Sequence, residues 1–143
     1  MIITNMTADH VPQIAELEKL CFSDAWSEKS IASELENELA LWLVAVDGDT
    51  VAGYIGSQTV LGEADMMNVA VAPEYRRRGI ARKLVEELIS RLNAHSLTLE
   101  VRVSNENARR LYDSMGFQQV GLRKKYYEKP REDALILRKE WGN

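Results

Sequence analysis

Three consecutive arginines, Arg76, Arg77 and Arg78, run directly into Gly79, Ile80 and Ala81, and Arg82 and Lys83 follow within one helical turn. The spacing of Ile80, Leu84, Leu88 and Leu92 predicts a helix beginning near Gly79. The cations therefore lie at the unfavourable end of the helix dipole, where each is disfavoured by roughly 0.3–1 kcal/mol. Positive charge gathered there implies a bound polyanion that reverses the local field. Gly79 and Ala81 are small enough to let such a ligand reach the unsatisfied backbone N–H groups of the first turn. A pyrophosphate fits, with amides binding its oxygens and arginines adding charge-assisted bonds. A solvated basic loop is the plainer alternative. The spacing is neither the Gly-x-x-x-x-Gly-Lys-Ser/Thr phosphate loop nor the Gly-x-Gly-x-x-Gly dinucleotide pattern.

Two further residues have the types needed for proton transfer. Glu100 falls in a strand whose odd positions, Leu97, Leu99, Val101 and Val103, form one apolar face, so it points the other way with Thr98 and Arg102. By pattern alone it is a solvent-facing carboxylate. Tyr112 shares a helix face with Ala108 and Met115 and points inward, as a core tyrosine would. Trp26, Tyr126 and Tyr127 either line a groove or cap the core. Cys21 has no histidine arranged beside it, and no His/Cys cluster has metal-ligand spacing.

The elements that must carry these residues follow from periodicity and turn signals. Ile2 to Met6 is a short strand, and Val11, Ile14, Leu17 and Leu20 or Cys21 mark one face of a helix. Ser27 N-caps a second helix carrying Ile31 and Leu35, across a loop from Phe22 to Trp26. Leu39 to Val46 and Val51 to Val60 form a hairpin about Asp47-Gly48-Asp49, and a strand from Ala64 to Ala72 stops at Pro73. After the long helix come a strand, Leu97 to Val103, and a helix from Asn105 to Met115 that ends at Gly116. Phe117 to Tyr127 and Ala134 to Trp141 are the last two strands. The order implies an α/β (α+β) fold: one mixed, mostly antiparallel sheet with helices on both faces, and a parallel pair where a crossover helix intervenes.

Composition sets the outer limits. A chain of 143 residues, 45% hydrophobic and 28% charged, has room for one domain, taken as 1–143. A formal charge of −4 argues against a general nucleic-acid binder. The single cysteine excludes an intrachain disulfide framework and fits a reducing compartment. No secretory signal opens the sequence and no apolar stretch is long enough to span a membrane, so a cytoplasmic location is expected, with no membrane partner.

Arg76-Arg77-Arg78-Gly79-Ile80-Ala81 resembles the Gln/Arg-x-x-Gly-x-Gly/Ala signature of the GNAT superfamily of N-acetyltransferases, with Asn68 to Pro73 as the preceding strand. A second block, Asn105-x-x-Ala108-x-x-Leu111-Tyr112-x-x-x-Gly116-Phe117, resembles the same family. Phe22 to Ser27, Leu99 to Arg102, Tyr126-Tyr127 and Arg131 to Ala134 are most similar to the RimI-type ribosomal-protein-alanine N-acetyltransferases. Where that type commonly has Phe-Pro-Trp, this chain has Ser23, Asp24 and Ala25 between Phe22 and Trp26.

The resemblance implies acetyl-CoA as co-substrate, no metal, and the N-terminal amine of a protein as acceptor, alanine on a small-subunit ribosomal protein. It implies that Val69, Ala70 and Val71 pair with the pantetheine arm. The pyrophosphate would lie on the backbone from Arg77 through Arg78, Gly79, Ile80 and Ala81 to Arg82, with Asn105 touching the coenzyme. Glu100 would be the base and Tyr112 the acid. Two other readings are a GNAT enzyme acting on a small amine or a lysine, and a non-catalytic acyl-CoA sensor; the presence of both Glu100 and Tyr112 disfavours the sensor. The sequence does not give the oligomeric state.

Overall fold

In the computed structural model, which describes residues 1–128 and 130–141, the chain opens with β1 (Ile2–Asn5) and α1 (Val11–Cys21). A loop leads to α2 (Glu28–Ser33), where Ser27 Oγ accepts from Ser30 N at 3.1 Å, a cap of the expected kind worth ~1 kcal/mol. Then come β2 (Ala40–Asp47), β3 (Thr50–Val60) and β4 (Glu63–Val71), the crossover helix α3 (Ile80–Arg91), β5 (Ser96–Arg102) and α4 (Glu106–Ser114). The hairpin of β6 (Gln118–Glu128) and β7 (Arg131–Glu140) completes the order. Boundaries differ from the sequence expectation by a residue or a few, as helix and strand ends commonly do.

The strands form one sheet in the order β1-β2-β3-β4-β5-β7-β6, antiparallel throughout except for β4 against β5. Helices cover both faces. On one, Val11, Ile14 and Leu17 of α1 and Ile31 of α2 bury against Trp42, Val44 and Tyr54. On the other, Ile80, Leu84, Val85 and Leu88 of α3 and Tyr112 of α4 bury against Leu97, Leu99 and Val101. Each such side chain contributes about 1.5–3 kcal/mol by leaving water.

Of the two alternatives for the last stripe position of α1, Cys21 takes it, half-buried and packed against the core under this helix, while Leu20 is exposed. At about 100° per residue Leu20 falls opposite the stripe, whose centre is occupied by Glu18.

Two irregularities shape the middle of the sheet. β4 and β5 pair only over Glu63↔Ser96, Ala64↔Leu97 and Asp65↔Thr98, after which no further pair joins them. The two strands splay, and from Met66 onward β4 has a partner on its β3 side only. Opposite, Gly56 pairs with Asn68 and Ser57 with Met66, which leaves Met67 as an extra residue in a β-bulge. Gly56 must lack a side chain, because a Cβ there would lie within the indole of Trp42.

Candidate active site

The basic loop has the backbone of an anion cradle. Arg77 and Gly79 both adopt left-handed φ, +66° and +74°, in the stretch that enters α3. Alternating hands turn successive N–H groups toward one side. Gly79 is the N-cap of α3 and offers no capping side chain; the first intrahelical bond runs from Lys83 N to Gly79 O at 3.1 Å. The N–H groups of Ile80, Ala81 and Arg82 are thus left as outward donors. The side chains divide the work. Arg76 turns away, its Nε donating to Val71 O at 3.2 Å and a terminal nitrogen meeting Cys21 Sγ at 3.5 Å. Arg78 lies over the Tyr75 ring at 5.1 Å, and Arg82 donates to Ser114 Oγ at 2.9 Å. Arg77 stays exposed beside Gly79.

Beside the loop, Val69, Ala70 and Val71 pair with Ile55, Tyr54 and Gly53 of β3, while their other edge faces the splay with no strand against it. A free edge of this kind accepts an extended chain through main-chain hydrogen bonds. Asn105 sits across the splay at the start of α4, where Oδ1 caps the helix by accepting from Ala108 N at 3.1 Å.

Glu100 and Tyr112 approach the splay from opposite faces of the sheet. Glu100 leaves β5 on the α1/α2 face, as the strand alternation requires, and faces Arg123 of β6 at 3.6 Å. The solvent-facing carboxylate that the pattern predicts is here a partly shielded ion pair. Tyr112 is buried on the α3/α4 face, edge-on to Phe117 at 5.4 Å, and its hydroxyl donates toward Met66 Sδ at 3.9 Å. Burial, with the neighbouring Tyr127 phenol, holds the Tyr112 phenol above the usual tyrosine range. Tyr127 is pushed up to about 12, by burial first and then by the charges of Glu100 and Tyr126, against the opposing Arg102. Tyr127 is thus coupled to Tyr112 on one side and to Glu100 on the other.

The aromatics noted in the sequence have different surroundings. Tyr126 and Tyr127 meet edge-on at 5.1 Å at the end of β6, with Arg123 over the first ring and Arg102 over the second. Arg102 also meets Glu132 at 3.1 Å, and hydrogen bonding from Ser104, its side chain first, and then from Arg102 holds the Glu132 carboxyl below the usual range. Trp26 packs edge-on against Trp42 at 5.5 Å. Glu18 escaped the sequence reading altogether. It is fully buried and accepts from the Trp26 backbone N–H, the Tyr54 hydroxyl and Asn68 Nδ2. Its signal was available: Glu18 lies four residues after Ile14 and seven after Val11, on the stripe that enters the core.

The sequence profile of the acetyltransferase (GNAT) family matches residues 11–117, from the first turn of α1 to the end of α4 and Phe117. The chain belongs to the GNAT family. A Bacillus subtilis relative is 38% identical, over 94% of this chain and 92% of its own length. The Escherichia coli K12 relative, [ribosomal protein bS18]-alanine N-acetyltransferase, is 36% identical over 94% of both chains. The crystal structure of the ribosomal-protein-S18-alanine N-acetyltransferase from Escherichia coli superposes with a TM-score of 0.89 at 35% identity, covering 97% of this chain and 92% of that one.

This GNAT chain is therefore an acetyl-CoA-dependent N-acetyltransferase. Acetyl-CoA, when bound, supplies an activated acetyl group and a thiolate leaving group. The residues fit it: a free β4 edge suits the amide-bearing pantetheine arm, and an uncapped helix start behind a left-handed basic loop suits the pyrophosphate. Among the described residues no group of three or more His, Cys, Asp or Glu is placed to hold a metal ion, and no helix is long and apolar enough to cross a membrane.

Proposed function

We propose that the chain, acting as one catalytic domain over residues 1–143, acetylates the N-terminal α-amine of a protein, alanine on a small-subunit ribosomal protein, in the cytoplasm. The observation that carries this reading is the likeness to an enzyme named for that acceptor over 94% of both chains. The site agrees with it. In this reading the acceptor's extended N-terminal segment runs over the sheet face beside Glu100, with the Phe22–Trp26 loop and the β6–β7 hairpin as its walls.

In this reading Glu100 receives the α-ammonium proton through a water. An α-amine with pKa near 7.7–8.0 costs only about 1 kcal/mol to deprotonate at pH 7, against roughly 4.6 kcal/mol for a lysine near 10.4. A carboxylate suffices for the first. The amine nitrogen bonds to the thioester carbonyl carbon, the C–S bond breaks, and the neutral Tyr112 hydroxyl hands a proton to the departing sulfur and regains one from the new amide nitrogen. A thiol near 8.5 is a stronger acid than a phenol, and burial widens the gap, so Tyr112 contributes less than the base. Val69, Ala70 and Val71 hold the pantetheine arm. The amides from Arg77 to Arg82, with the Arg77 and Arg78 side chains, hold the pyrophosphate, and Asn105 touches the coenzyme.

The test is a pair of peptides with internal lysines, one starting with free alanine and the other blocked by acetylation, read by intact mass. Only the free peptide is expected to gain an acetyl group, at its N-terminus. Equal modification of the blocked peptide transfers the assignment to lysine, and reaction of a polyamine alone transfers it to small amines.

A further inference from the structure

Among the described residues Glu18 is the only buried carboxylate, fully shielded from solvent, and neither proton transfer step has a use for it. It gathers three donors from three separate stretches of chain. Oε1 accepts from the Trp26 backbone N–H at 2.9 Å, and Oε2 accepts from Asn68 Nδ2 at 2.8 Å and from the Tyr54 hydroxyl. Asn68 stands at the β4 bulge, next to Val69. Tyr54 stacks on Trp42, ring centroids 6.2 Å apart, and Trp42 meets the Trp26 ring. Trp26 is thus held by its main chain and by its ring, and both holds lead back to the same carboxylate.

A buried carboxyl group persists only where hydrogen bonds compensate its lost hydration. Helix α1 has no need of one, since an apolar side chain would complete the stripe of Val11, Ile14 and Ala15. What the carboxylate adds is a fixed separation between the end of the Phe22–Trp26 loop and the β4 edge. In the proposed reading that loop is one wall of the acceptor groove.

We propose that Glu18 is a positioning residue: it fixes the Phe22–Trp26 wall against the β4 bulge and so sets affinity for the acceptor's N-terminal segment rather than the rate of acetyl transfer. The proposal rests on the reading of the acceptor as a protein N-terminus. Contacts made equally in ground and transition states act on KM and leave kcat in place.

The test uses Glu18→Ala and Glu18→Gln, the second keeping the volume but offering a single acceptor oxygen to three donors. An alanine-starting peptide gives the kinetics, calorimetry gives acetyl-CoA affinity, and hydrogen exchange follows the Trp26 amide. Peptide KM is expected to rise about tenfold in Glu18→Gln and further in Glu18→Ala, with kcat and acetyl-CoA Kd within about twofold of the parent and faster Trp26 exchange. An unchanged peptide KM overturns the proposal, as does a parallel loss of peptide and coenzyme affinity, the mark of a general folding role. If Glu18→Ala does not fold, Glu18→Gln decides. If the parent enzyme modifies no alanine-starting peptide, the acceptor reading falls by itself. The Glu18 proposal is then judged by Trp26 exchange and by KM for the amine that is turned over, and unchanged exchange in Glu18→Gln overturns it.

Discussion

At the scale of single residues, Glu100 and Glu18 show how much two carboxylates can differ in legibility. Glu100 was readable because strand alternation places it opposite Leu99 and Val101, and the structure keeps it there. Its ion pair with Arg123 was not, since that contact depends on how β7 and β6 stack beyond β5. Glu18 carried a helical-stripe signal, but a glutamate among Glu16 and Lys19 looks like part of a solvated face, and its three donors come from 8, 36 and 50 residues away. If Glu100 is the base, Glu100→Gln lowers kcat by about 10²–10⁴-fold and leaves coenzyme affinity nearly intact. Single-turnover rates across pH 6–9 beside a calorimetric Kd check this, and near-parental turnover across that range removes Glu100 from the role.

At the scale of elements, local signals did well where geometry is local. Gly116 ends α4 with φ of +90°, Ser27 caps α2, and Gly48 turns the β2–β3 hairpin, all as the residue types require. The β4 bulge at Met67 and the short pairing of β4 with β5 had no sequence signal, because both are settled between strands rather than within one. The loop entering α3 offers a direct test. A Cβ at Gly79 meets nothing within 4 Å, so Gly79→Ala is opposed by backbone conformation alone. Forcing an alanine to φ of +74° costs roughly 1–2 kcal/mol. The expected outcome is a lower denaturation midpoint of that size together with weaker acetyl-CoA binding. Unchanged coenzyme affinity would place the pyrophosphate elsewhere.

At the scale of the whole molecule, the buried tyrosines set an alkaline limit. Tyr54 is raised by burial and then by Glu18, Tyr112 by burial and Tyr127, and Tyr127 by burial and Glu100. Each folded-state value lies above the unfolded value near 10. The unfolded chain therefore loses these protons first, and the stability they support is complete below about pH 10 and declines as pH rises beyond it. Thermal midpoints between pH 8 and 11 are expected to fall on the alkaline side, with a shallower fall in Tyr112→Phe. A pH-independent midpoint over that range would contradict the assignment of these phenols as buried and neutral.

The splay between β4 and β5 also has a mechanical meaning. Three residue pairs join the strands β1 to β4 to the strands β5 to β7, whereas neighbouring ladders run to eight. The β4–β5 ladder is the shortest in the sheet, a built-in seam between its two halves. If the coenzyme lies along the β4 edge, as proposed, it bridges that seam as an eighth strand would. Acetyl-CoA then raises the rupture force in single-molecule pulling, so that the protein reports its ligand as tensile strength.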